Sequence, residues 1–418
     1  MTSGHFHFLL LTACIAIGIF IADSISVPWG ALYVLMLSAL LMFVALCLSR
    51  RGMVALVSLC LFFVLIGYLR AFLPDFSIIP SSLLSWSANL SQSLLHSLDG
   101  LGLSPDASSL LKAMLLGSRT DLSPELQELY RQTGAAHVLA LSGLHLTILL
   151  GLFNYCLVRL LAFRWRYVFG TLGILLMGIY VLLTGFPISL CRASLMMSLL
   201  ILGQMRLTGH SSWHTLGLTA FLLLLFSPLS LYDVGFQLSF AAVCGLLLFY
   251  RLLADIWLPQ HLIPRRLWQI FLTSVSAQLG VMPLLLHYFH RFSVSGILLS
   301  PIYILLATAI MYSALLQCFL TFFGLGFIVR PLVEMLVGVQ HGLMSFAAQL
   351  PFGGVGEATC PWQSVVLCYA ALFFMIPPLR AIRKPDIPQH LLRWALFFRS
   401  WPYVLAAIIC LVAAYVLR

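Results

Sequence analysis

Apolar runs of about 20 residues recur from one end of this chain to the other, and they restrict its fold more than any motif does. Inside a bilayer the backbone has no water to bond with, so such runs are helices. Of 418 residues, 62% are hydrophobic and 8% charged. The mean hydropathy is +1.06. A soluble domain does not hide that much apolar surface. The expected fold class is all-α: a polytopic transmembrane helix bundle of about 11–13 spans, with amphipathic interfacial helices added.

The runs fall at residues 6–22, 32–48, 53–69, 167–184, 190–204, 214–226, 234–250, 267–287, 294–312, 315–329, 364–378 and 404–417. The net charge of +10 is almost all arginine. Arg50, Arg51, Arg159, Arg164, Arg166, Arg206, Arg251, Arg265, Arg266, Arg380, Arg383, Arg393 and Arg399 fall in alternate loops, as the positive-inside rule requires. The first run lacks a basic leader and a clear small-residue cleavage site, so no cleavable signal peptide is expected. Ten cysteines are scattered, mostly within spans, with no CxxC and no zinc-type spacing. Neither a disulfide, a metal nor a cofactor is expected. The pairs His210/His214 and His287/His290 have metal-like spacing but no third ligand, and read as interfacial histidines.

Four divisions follow: N-terminal transmembrane helices at 1–70, extracytoplasmic or interfacial helices at 71–133, a core at 134–380, and a basic loop with a final span at 381–418. Within 71–133, residues 83–98 and 107–116 show helical apolar spacing. These pieces are expected to lie along the membrane surface. A third short helix is well punctuated: Ser123 to cap it, Pro124 for its first turn, Glu125 at its positive end and Gly134 for its stop. Residues 331–350 read as an amphipathic surface or re-entrant piece.

Polar side chains at span depth are costly and usually face a bundle interior or wet cavity. The stretch GAAHVLALSGLHLTILLG at 134–151 places Ser142 and His145 three apart on one helical face, with His137 two turns before. Gly143 is a small residue for close helix packing. At 185–197, Gly185 and Pro187 break the backbone just before Arg192. A lone arginine at such depth costs roughly 2.5–3.5 kcal/mol and needs a partner, water or a passing anion; snorkelling to the outer interface is the plain alternative. At 227–245, Asp233 is placed to cap a helix start, Gln237 lies one turn on, and Gly235 provides a small-residue edge. Gln237 reads equally as an interhelical hydrogen bond or as part of a polar lining. Gln278 and Pro283 mark another polar, kink-prone helix.

Hydrolase signatures are missing. Ser142 has no GxSxG elbow, and there is no HxHxDH, P-loop or dinucleotide-binding fingerprint. The chain is therefore read as a non-enzyme.

Three stretches together resemble the ComEC family of competence proteins, inner-membrane channels for DNA uptake. They are LLKAMLLGSRTDLSPELQELYRQTGAAHVLALSGLHLTILLG at 110–151, the 185–245 stretch with RASLMM and DVGFQLSFAAV, and SAQLGVMPLLLHYF at 276–289. The resemblance implies a multi-pass protein of the bacterial inner membrane that passes single-stranded DNA into the cytoplasm. It implies single-stranded DNA and membrane lipid as partners, with an extracytoplasmic DNA receptor, a cytoplasmic ATP-driven motor and a separate nuclease; self-association stays open. His137, Ser142, His145, Arg192, Gln237 and Gln278 are then the expected lining of the DNA path. Arg70, Arg119, Arg131 and Arg291 read equally as an outer-mouth attraction for DNA and as ordinary membrane-surface arginines. Family members commonly add an OB-like domain and a metallo-β-lactamase-like domain, and neither pattern is found in this sequence. The main alternative is a permease for a small polar or anionic substrate. A third is an intramembrane hydrolase using Ser142 and His145.

Overall fold

The computed structural model describes residues 7–24, 60–69, 81–139, 143, 145–146, 148–150, 166–205, 212–290, 294–349 and 361–381. Ser142, Arg70, Arg291 and the expected spans 32–48 and 404–417 lie outside the described residues. Among the described residues every regular element is a helix, and the chain is an all-α membrane protein. In chain order they are α1 (His7–Ser24), α2 (Cys60–Leu69), α3 (Ser81–Asp99), α4 (Pro105–Leu116), α5 (Pro124–Gln132), α6 (Ala136–Leu139), α7 (Arg166–Leu183), α8 (Ile188–Met205), α9 (Ser212–Phe226), α10 (Val234–Ala254), α11 (Leu262–Phe289), α12 (Val294–Thr321), α13 (Arg330–Ala348) and α14 (Trp362–Ala381). Among these, Val234–Ala254, Pro264–Phe289, Leu298–Thr321 and Gly326–Ala348 are long and apolar enough to cross a membrane. Six shorter apolar helices accompany them.

The expectation of two spans at 294–312 and 315–329 is corrected. One 28-residue helix, α12, covers residues 294–321. No glycine or proline lies between 302 and 323 to stop it. The chain turns only at Gly324, whose φ of 74° suits a left-handed helix end.

The chain divides into two compact units: Met1–Ser91 with Leu146–Gln237, and Gln92–His145 with Leu238–Arg418. In the first, α1 packs along α9, and α8 packs between α7 and α9. Gly18 and Gly67 let α1 and α2 approach at backbone distance, since a Cβ on either would collide with the other helix's carbonyl. Thr12 Oγ1 donates to the Gly217 carbonyl at 2.8 Å, and Ser87 Oγ to that of Leu182 at 2.6 Å.

In the second unit, α13 packs on α12, and α4 and α5 pack against the pair. α4 is more enclosed than its apolar spacing suggests. Leu110, Leu111, Ala113 and Met114 are fully buried, so α4 is an interior helix of its unit. Its N-cap Ser104 donates to both carboxylate oxygens of Glu334 from α13, through its N–H at 2.5 Å and its Oγ at 2.7 Å. Lys112 Nζ is buried and reaches Asp99 and Asp121, each at 2.6 Å. Gln340 Nε2 donates to Tyr130 Oη at 3.1 Å. α5 is capped as its sequence predicts: Ser123 Oγ accepts from Leu126 N–H, Pro124 opens the helix, and Gly134 follows it with φ 69°. Against α11, α10 approaches at Gly245 and Gly280, where a Cβ on Gly280 would collide with the Ala241 carbonyl. Tyr369 Oη from α14 donates to the Gly280 carbonyl at 2.8 Å.

Candidate functional site: a buried ion pair at a helix break

α7 ends in a left-handed turn. Gly185 has φ 78°, Phe186 N–H reaches back to the Val181 carbonyl at 3.0 Å, and Gly185 N–H to that of Leu182 at 3.2 Å. This 6→1 and 5→2 pair closes the helix. A Cβ on Gly185 would meet nothing within 4 Å, so the glycine is required by its backbone angle and not by crowding. Phe186 also takes a positive φ, 59°, an uncommon state for an aromatic residue. It persists because the ring packs on the apolar cluster of Leu146, Met177, Val181 and Leu190. Pro187 then opens α8, its carbonyl accepting from Leu190 and Cys191 N–H groups.

One turn into α8 stands Arg192, only 4% exposed. Its Nη1 donates to Asp233 Oδ2 at 2.8 Å, and Asp233 itself is 41% exposed. Asp233 ends a 3-10 turn, Pro228–Tyr232, and caps α10. Its Oδ2 accepts from Phe236 N–H at 3.0 Å and its Oδ1 from Gly235 N–H at 3.3 Å. One carboxylate therefore serves a cation and the positive end of a helix together. The guanidinium carbon lies 5.9 Å from the Phe236 ring centre. Gly235 gives the guanidinium room: an added Cβ would stand 3.1 Å from Arg192 Nη2 and 3.4 Å from Asp233 Oδ2. Arg192 Nε is buried without a hydrogen-bond partner. Gln237 Nε2 donates to the Leu231 carbonyl at 2.9 Å, tying α10 back to the 3-10 turn.

Asp233 both caps α10 and pairs with Arg192. The two lie 41 residues apart on different elements, and nothing local in the sequence joins them. Arg192, Asp233, Gly235 and Gln237 come together in the first unit, beside the break made by Gly185 and Pro187. His145, 1% exposed, and Gln278, half-buried on α11, belong to the second unit. Pro283 is buried within α11. His137 lies on α6, and Gly143 is helical and half-buried. His287 lies tilted against Trp362, ring centres 4.4 Å apart. Arg119 is exposed with its Nε donating to the Leu139 carbonyl at 3.3 Å, and Arg131 is exposed beside Glu128.

No solved structure matches the chain. Among curated proteins it is similar to ComE operon protein 3 of Bacillus subtilis, 34% identical over 195 residues, which cover 47% of this chain and 24% of that protein. It is similar to Recombination protein 2 of Haemophilus influenzae, 31% identical over 46% of this chain and 26% of that one. Competence protein ComA of Neisseria gonorrhoeae is 32% identical over 39% of this chain and 24% of its own length. The chain thus spans about a quarter of the length of these curated relatives. The profile of the family described as Competence protein matches residues 114–381, which contain the helix break, the ion pair and α10 through α14. With well over half of its length matched, the chain belongs to the competence protein family.

Proposed function

We propose that the chain forms the membrane passage through which single-stranded DNA enters the cytoplasm, in the inner membrane of a bacterium, as a multi-pass protein. Its family membership supports this, and one relative is named a competence protein. The observation that carries the reading is Arg192: a guanidinium buried in an apolar helix of the matched region, with one buried donor unpartnered.

A phosphodiester presents two non-bridging oxygens sharing one negative charge, which a guanidinium fork meets edge-on. Nη1 is held by Asp233, which fixes the fork's orientation. The buried Nε is the donor without a partner, and a phosphate meets it only when the side chains covering it move aside. Sharing the cation with Asp233 weakens its hold on any one phosphate, as a conduit needs, because a strand bound tightly at each site does not move on. Gln237 adds a polar contact beside Arg192, and Gln278, His137, Ser142 and His145 are proposed as further polar contacts of the strand. The chain carries the strand and does not cut it. An extracytoplasmic receptor, an ATP-driven motor and a separate nuclease act with it.

The test is a gene deletion read in two compartments. Labelled DNA is measured at the cell surface and, separately, in the cytoplasm. The proposal expects surface DNA to persist and cytoplasmic DNA to vanish. Cytoplasmic DNA at the parental level in the deletion strain overturns it.

A further inference from the structure

The turn between α12 and α13 differs from an ordinary connection. Loops usually meet water, because their backbone groups need partners. Here Phe322 is 87% exposed and Phe327 70%, with Phe319, Phe323 and Ile328 each beyond half exposed. Phe323 packs edge-on against both Phe319 and Phe322, ring centres 5.3 and 5.4 Å apart. From Arg291 to Arg330 the sequence holds no charged residue.

The backbone of this turn closes on itself. Phe323 N–H bonds the Leu320 carbonyl, Gly324 N–H that of Thr321, and Leu325 N–H that of Leu320. Ile328 and Val329 N–H groups bond the Leu325 and Gly326 carbonyls. The one hydroxyl, Thr321 Oγ1, donates to the Gln317 carbonyl at 2.7 Å. With five of its N–H groups bonded within it, the turn loses less on leaving water than an open loop would. Its exposed rings run on into the exposed apolar face of α12 (Leu305, Leu316), a helix apolar enough to span, and Leu332 and Met335 of α13 are exposed beyond Arg330. Charge returns only at the start of α13. Arg330 lies against Gly102, and Glu334 is held by Ser104.

We infer that this turn is itself a membrane anchor, with Phe322, Phe323, Phe327 and Ile328 inserted among the lipid acyl chains beneath the headgroups. The occupant is lipid, because the patch is a continuation of the span surface and offers no charge or free donor to a polar partner.

The full chain, with its ten cysteines replaced, is spin-labelled at Phe322→Cys or Phe327→Cys and placed in phosphatidylethanolamine–phosphatidylglycerol vesicles. Glu125→Cys, at an exposed position on α5, is the reference. Collisions with oxygen and with a water-soluble nickel chelate are compared. Expected is an oxygen-to-nickel ratio at 322 and 327 about tenfold above that at 125. A ratio equal to that at 125 means an aqueous loop and overturns the inference. Exclusion of both reagents means a protein cover, a second copy included, and overturns it equally. Two label positions keep the test valid if one variant fails to fold.

Discussion

Replacing Asp233 by asparagine removes its charge and keeps a good helix cap. Arg192 is then a 4%-exposed cation without its counter-ion. Breaking a fully buried pair costs about 3–5 kcal/mol. Asp233 is 41% exposed, so water already screens it, and the expected loss falls to about 2 kcal/mol. Alanine at 233 also removes the acceptor for Gly235 and Phe236 N–H groups, adding about 1 kcal/mol. The pair is separated from the cap by a cycle of Arg192→Met, Asp233→Asn and the double variant. Unfolding of the purified, detergent-solubilised protein is followed by denaturant titration. The double variant is expected to be more stable than the sum of the singles by about 2 kcal/mol. Additive losses, or an Asp233→Asn variant as stable as the parent, would refute the claim that the pair is a coupled unit.

Tyr130→Phe strands the buried Gln340 amide, and a loss of about 1–2 kcal/mol is expected in the same titration. Gly280→Leu drives a side chain into the Ala241 carbonyl, and the variant is expected to fall sharply in membrane abundance while Gly338→Leu, whose Cβ meets nothing within 4 Å, does not. The hydrogen bond from Lys112 holds the Asp121 carboxyl below its ordinary 3.8. Its contribution is therefore present above about pH 4 and lost as pH falls further. The bond to Asp121, then that to Asp99, raises Lys112 above its ordinary 10.5. That contribution is full below 10.5 and lost only as pH rises past it. Asp121→Asn is expected to flatten the acid limb of a stability–pH curve; an unchanged limb would remove Lys112–Asp121 from the account.

The helices were legible because hydropathy and punctuation are local. Ser123, Pro124 and Gly134 delimit α5 where the sequence places them, and Gly185 with Pro187 separates α7 from α8. Failures came where local patterns leave two outcomes. Residues 294–329 contain enough apolar length for two short spans, and only the lack of a breaker before Gly324 decides for one. α4 reads as amphipathic because leucines recur on one side. Its burial depends on α12 and α13 arriving from 200 residues further on, an event no window records. For the same reason Asp233 was legible as a cap and illegible as the partner of Arg192. Caps act within three residues; the ion pair joins elements 41 residues apart.

The central claim is that an incoming strand passes the polar groups gathered beside the helix break. The most direct measurement places a photo-crosslinking amino acid at Gln237 in otherwise intact cells and irradiates them during uptake of labelled DNA. The account predicts a covalent adduct carrying single-stranded DNA, and much less of it when Arg192→Gln is added. Abundant adducts at exposed Glu125 with none at Gln237, while DNA still reaches the cytoplasm, would contradict it.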